Sequence, residues 1–163
     1  MPRVKFDQIS PDARLWIFAA ERRLSKAESV AILEKVDVFI EQWAAHDVPL
    51  ISASELRYEQ FIFIAVDEGN TGASGCSIDA LVRRMKELQA EFEVELVNHS
   101  PVLYRHGGGI SRVSRERFTA LVEAGEVAQE TVVFDNTVTS VSAVRDGRWE
   151  LPAVDSWHGA AFF

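Results

Sequence analysis

The sequence predicts an α+β fold on three observations: an apolar run near the start, two amphipathic helical patterns, and strand-like runs set between and after them. The first run, Leu15-Trp-Ile-Phe-Ala-Ala20, is almost wholly apolar and rich in aromatic and branched side chains. It reads as a strand buried on both faces, a pattern that a short buried helix shares. Residues 1–13 before it are polar and broken by Pro2 and Pro11, so they read as a loose arm.

Ser25-Lys-Ala-Glu28 has the capping-box form, in which the two side chains satisfy free backbone N–H groups at a helix start. Behind it Leu33, Val36, Phe39, Ile40 and Trp43 recur at three- and four-residue steps, predicting a helix to about His46. Two strands follow, at Leu50–Leu56 and Phe61–Val66, joined by Arg57-Tyr-Glu-Gln60 as a hairpin-like connection. After Asp67-Glu68 and a glycine-rich turn, Ile78, Leu81, Val82, Met85, Leu88 and Phe92 fall on one helical stripe. A fourth strand is expected between Val94 and Tyr104, with Pro101 marking an edge or a break.

That order, β-α-β-β-α-β over 14–106, is the split βαβ or ferredoxin-like arrangement. Residues 107–163 read as an appended unit of the same single domain. Gly107-Gly-Gly109 is a loop, and Ser114 to Ala124 is a short helix with Phe118, Leu121 and Val122 inward and Gly125 at its stop. Thr131–Phe134 and Val138–Val144 read as strands, with Asp146-Gly147 as a hairpin turn signal. The chain closes on Ser156-Trp-His-Gly-Ala-Ala-Phe-Phe163, an apolar tail expected to dock.

At 163 residues, 47% hydrophobic and 26% charged, the composition is that of an ordinary globular domain. The net charge of −8 argues against a nucleic-acid or anionic-membrane partner, since binding phosphate needs a basic stripe and the arginine clusters here are interleaved with acids. No apolar run approaches the roughly 18 residues of a membrane span, and the first residues lack the apolar segment of a secretory signal. One cysteine excludes an internal disulfide framework and suits a reducing compartment, so a cytoplasmic location is expected. Trp16, Trp43, Trp149 and Trp157 read as core or interface anchors, and a homodimer is a reasonable expectation for an open sheet face.

Chemistry is sought first at Gly72-Ala-Ser-Gly-Cys-Ser-Ile-Asp79. A strand, glycines at 69, 72 and 75, and a helix start are the ingredients of a small-anion site, with Gly72, Ser74, Gly75, Ser77 and Asp79 as its candidate residues. The spacing is nonetheless neither of the familiar phosphate loops, and no lysine follows the last glycine. Cys76 stands at or next to the helix N-cap, where unsatisfied N–H groups favour a thiolate. In the βαββαβ layout His46, Asp67 and His106 would share its sheet edge, giving a catalytic set of Cys76 with His46 and Asp67. The competing reading is structural: Cys76 or Ser77 caps the helix, with Asp79 favoured in its first turn. The four histidines share no ligand spacing and one cysteine makes no zinc site, so the sequence points to no metal and no cofactor.

The series Leu15-Trp-Ile-Phe18, Trp43-Ala-Ala-His46, Val66-Asp-Glu68, Ala73-Ser-Gly-Cys-Ser-Ile-Asp79 and Ser156-Trp-His158 resembles a family of small uncharacterised bacterial proteins. The Ser-Gly-Cys-Ser-Ile-Asp segment is its most distinctive piece, and members at times carry the label "ABC transporter ATPase". The chain has neither a Walker A lysine motif nor a Leu-Ser-Gly-Gly-Gln signature. The resemblance implies a family and brings no catalytic assignment with it. The functional expectation is a non-enzymatic binding or interaction protein; the alternatives are a small enzyme or ligand-sensing domain at the Gly72–Asp79 turn, and ATP binding as the label suggests.

Overall fold

The computed structural model describes residues 3–69 and 71–163; Met1 and Pro2 of the expected arm lie outside the described residues. The fold is α+β and forms two compact units, one reaching to Val97 and including Thr139–Ser142, the other comprising Asn98–Val138 and Ala143–Phe163.

The first unit is built on a three-stranded antiparallel sheet. Its strands are β1 (Arg14–Ala19), β4 (Ile51–Arg57) and β5 (Phe61–Asp67), in the order β1-β5-β4 with β5 central. Trp16 pairs with Ile64 and Ser54 with Ile64 from the other side, which fixes the register of all three strands. Phe61 through Val66 are completely buried, so this strand has no polar side and both of its faces need cover.

One face is covered by the helices α1 (Lys26–Glu41) and α2 (Gly75–Phe92). Phe18, Ile62, Ile64 and Val66 meet Ile32, Val36 and Ile40 of α1 and Leu81, Met85 and Leu88 of α2 in one apolar cluster. Ser52 and Ser54 of β4 face the same way, and their hydroxyls are satisfied there: Ser52 donates to the Ile40 carbonyl and Ser54 to the Asp37 carboxylate. The other face receives the N-terminal segment. Phe6 is buried with its ring 5.7 Å from Phe63, Ile9 and Ala13 are buried, and Val4 donates its N–H to the Ser52 carbonyl. The expected loose arm is therefore docked from Arg3 onward, because it carries the apolar groups that this sheet face lacks.

The α1 capping box forms as read: Ser25 Oγ accepts from the Glu28 N–H and Glu28 accepts from the Ser25 N–H. The helix ends at Glu41 rather than near His46. Ala44–Ala45 (β2) and Val48–Pro49 (β3) instead pair as a minimal hairpin, with His46 and Asp47 left-handed at its tip (φ 50° and 65°). Leu33 is only half-buried; the inward position is Ile32.

The expected fourth strand does not join this sheet. Val94 and Leu96 bury their side chains in the helix-side cluster, but their segment finds other hydrogen-bond partners: Gln89 Oε1 accepts from Leu96 and Val97, and Glu21 exchanges bonds with Glu95. Strand pairing resumes only at β6 (Val102–His106), after Pro101 and in the second unit, so the boundary expected at 107 falls at Asn98.

The second unit holds a four-stranded antiparallel sheet, β7-β6-β8-β9, from β6, β7 (Gly109–Val113), β8 (Val132–Phe134) and β9 (Glu150–Pro152). Gly107 and Gly108 form a two-residue hairpin turn with positive φ, while Gly109 belongs to β7. Helix α3 (Arg115–Glu123) is capped by Ser114 and stopped at Gly125 (φ 75°), as the sequence predicts. Val138–Val144 is not a strand: Val141–Arg145 is a helical turn, α4. Asp146-Gly147 ends that turn, with Arg148 N–H on the Ala143 carbonyl and Gly147 N–H on Val144, a left-handed helix stop rather than a hairpin. The tail docks as α5 (Trp157–Phe162), where the Phe162 ring lies 4.9 Å from Phe118.

Arg22 holds Glu28 through two 2.9 Å contacts and, with the Ser25 N–H, lowers its carboxyl from 4.5 to about 2. A depressed carboxyl stabilises the fold above its unfolded value and loses that contribution as pH falls. Glu28→Gln is expected to cost about 1 kcal/mol at neutral pH. Urea unfolding of wild type and variant should show the gap closing as pH falls from 4.5 towards 2.

Candidate functional site

The Gly72–Asp79 turn follows β5 and launches α2, but its groups are directed at one another. Ser74 is the N-cap: its Oγ accepts from the Ser77 N–H at 3.1 Å, and Ser77 Oγ accepts from the Ser74 N–H at 2.7 Å. The cap is thus Ser74, not Cys76 or Ser77, and Ser77 closes the box. Upstream, Glu68 folds back so that its Oε2 accepts the Ala73 N–H at 2.9 Å. A side chain at Gly72 would sit 2.8 Å from that same oxygen. The glycine makes room for a carboxylate, and the carboxylate belongs to the chain itself.

Of the proposed anion-binding residues, then, Ser74 and Ser77 bond each other, Gly72 faces Glu68, and a side chain at Gly75 would meet nothing. Asp79 is exposed in the first turn of α2. The proposed catalytic residues are placed as follows. Cys76 is the second residue of α2 and exposed. His46 is exposed on the β2–β3 tip rather than at the end of α1. Asp67 ends β5 and accepts from the Gly69 N–H at 3.0 Å. His106 ends β6, in the second unit. No hydrogen bond joins Cys76 to His46 or to Asp67 among the described residues. What ties the hairpin to α2 is Trp43, whose buried indole donates to the Ser77 carbonyl at 2.9 Å.

Cavities lie elsewhere, in each of the two units. In the first unit a groove of about 530 Å³ runs between α1 and α2, lined by Val38, Phe39, Gln42, Trp43, Ala80 and Arg84; Cys76, His46 and Asp67 do not line it. In the second unit a cavity of about 320 Å³ is lined by Tyr104, His106, Ser111, Arg117, Leu121 and Val127. The sequence reading missed this second grouping. Its signal is present: Tyr104 and His106 alternate on β6, the Gly107-Gly108 turn pairs Tyr104 with Ser111, and Arg117 and Leu121 are one helical turn apart.

The second unit also buries an imidazole. His158 is 2% exposed, stacked on Trp157 at 4.0 Å, and its Nδ1 lies 2.8 Å from the Ser156 hydroxyl that caps α5. Burial pushes the imidazole from 6.5 down to about 4; Asp135 opposes this and Arg115 adds to it. His158 is thus a neutral core group. Among the described residues no group of three or more His, Cys, Asp or Glu could hold a metal ion, and no helix is long and apolar enough to cross a membrane.

Compared with known proteins, the chain matches no family model, no curated protein and no solved structure. Its function therefore has to be read from its own geometry.

Two outcomes are expected. Ser74→Ala should cost about 1 kcal/mol in chemical denaturation, whereas Cys76→Ser should stay within about 0.5 kcal/mol of wild type. His158 has a lower value folded than unfolded, so the unfolded chain binds the extra proton and stability must fall as pH drops from 6.5 towards 4. That loss is on the order of 3 kcal/mol, and the unfolding free energy of His158→Asn should lack it over the same range.

Proposed function

We propose that the chain is a non-enzymatic binding protein in which the Gly72–Asp79 turn is a structural device. The observation that carries this reading is the closure of the turn on itself, with Glu68, Ser77 and Ser74 accepting from the N–H groups of Ala73, Ser74 and Ser77. A nucleophilic thiol needs a base within hydrogen-bond reach and a third group orienting that base. Cys76 is exposed at the helix start, and the described hydrogen bonds of the turn pass it by.

The first unit's β1-β5-β4 order with two helices on one face is compatible with a split βαβ arrangement lacking the last strand. A reducing, cytoplasmic setting agrees with a lone exposed thiol. The ATP reading has less behind it: the turn carries no lysine, and its own glutamate accepts the Ala73 N–H.

Alkylation of Cys76 by iodoacetamide tests the proposal. At neutral pH the native protein should react within roughly threefold of the urea-unfolded chain, because neither state activates the thiol. Enhancement of roughly a hundredfold that disappears in His46→Gln would establish an activated nucleophile and overturn the reading.

A further inference from the structure

We propose that the cavity between the β6–β7 hairpin and the Arg117–Leu121 face of α3 binds a small organic carboxylate with an apolar body. The proposal rests on the binding-protein reading and names its ligand.

The charge distribution comes first. The whole chain carries −8, yet residues 102–117 hold four arginines (105, 112, 115 and 117) against one acid, Glu116. Two of the four are engaged away from the cavity: Arg105 pairs with Glu150 at 2.7 Å, and Arg115 donates to the Ser100 carbonyl and lies over the Trp157 ring. Arg112 lines the cavity with its Nε buried. Arg117 differs: its backbone N–H serves the Ser114 cap, while its guanidinium forms no hydrogen bond or ion pair among the described residues. That guanidinium belongs to an exposed residue on the cavity wall.

The rest of the lining completes an amphipathic site. Tyr104, His106 and Ser111 supply polar groups from one face of the hairpin, and pairing of Tyr104 with Ser111 sets them side by side. Leu121 and Val127, both buried, supply apolar wall. Glu126 also reaches the cavity, the single acid to do so, and as an exposed residue it lies at the solvent side. A guanidinium matches a carboxylate through a charge-assisted hydrogen bond, and hydroxyls can serve the second oxygen. About 320 Å³ lies at the small end of ligand cavities, which fits an aromatic or branched aliphatic acid.

The test is a ¹H–¹⁵N NMR titration of the full chain with benzoate, benzamide as its neutral counterpart, and inorganic phosphate as charge without an apolar body. Benzoate should shift the amides of Tyr104, Ser111 and Arg117 saturably, with affinity at least about tenfold above benzamide, the worth of one charge-assisted hydrogen bond. Arg117→Gln changes an exposed side chain and should retain wild-type dispersion and thermal stability while losing affinity by about the same factor. Arg84→Gln, in the first unit, should leave benzoate binding unchanged. Absence of saturable shifts, equal affinity for benzamide, or full benzoate affinity in Arg117→Gln would overturn the proposal, and tighter binding of phosphate than of benzoate would overturn the apolar body. Each of these failures leaves the Cys76 alkylation result intact, so the site and the broader binding-protein reading fail separately.

Discussion

The first unit depends on one constraint: a central strand with nothing polar to show to water. From Phe61 to Val66 every residue is wholly buried, so each face of β5 has to be covered by something apolar. The helix side is met by α1 and α2, whose Ile32, Val36, Leu81 and Met85 close on Ile62, Ile64 and Val66. The opposite side needs Phe6 and Ile9, which converts a polar, proline-broken leader into an ordered part of the fold. The same burial dictates the polar detail around it. Ser52 and Ser54 lie against α1 and must find partners, and Gln60, buried at the turn into β5, donates to the Ala20 carbonyl.

This constraint is also what made the fold legible. A strand covered on both faces reads as a continuous apolar run, and a helix lying over it reads as a stripe. Both signals are local and strong, and with the Ser25–Glu28 box they locate β1, α1, β4, β5 and α2. The misplaced elements share a different character, because their local patterns fit two structures. Ala44-Ala45 suits a helix as well as a hairpin, and Pro49 with the left-handed His46-Asp47 pair decides for the hairpin. Asp146-Gly147 supports either a tight β turn or a helix stop, since both use a glycine with positive φ. Val138–Val144 has branched residues typical of strands, but Val141 and Ser142 find their acceptors on the Ala13 and Pro11 carbonyls instead. Only tertiary context chooses in these cases.

The glycine-rich turn shows why motif density is a poor guide to a ligand. Closely spaced glycines and a helix start create donors, and donors attract the nearest acceptor. Here that acceptor is tethered: Glu68 lies five residues before Ala73 and reaches its N–H without crossing from bulk solvent. A free anion at the Ala73 N–H would have to displace a carboxylate held at high effective concentration by a short loop. Ser74 and Ser77 make the same point with neutral groups, since their reciprocal bonds leave two donors of the helix start already used. The distinctive Ser-Gly-Cys-Ser segment is therefore explained by how the helix begins. The exposed Cys76 within it is bordered by these bonds rather than drawn into them.

Net charge invites an opposite error. A net charge of −8 is the ground for expecting no polyanion partner, because binding along a phosphate backbone integrates charge over a long surface. A single carboxylate samples only its surroundings, and at physiological ionic strength exposed charges beyond about 8 Å are largely screened. What governs it is the guanidinium it touches and the apolar wall behind it. Arg117 stands at a cavity walled by Leu121 and Val127, in a stretch where Arg105 and Arg115 are committed elsewhere and Arg112 lines the same cavity with its Nε buried. The acidic balance that argues against nucleic acid thus carries no weight against a small organic acid here. Among the described residues, the Arg117 guanidinium is a cation beside an apolar hollow that the packing of the second unit does not use.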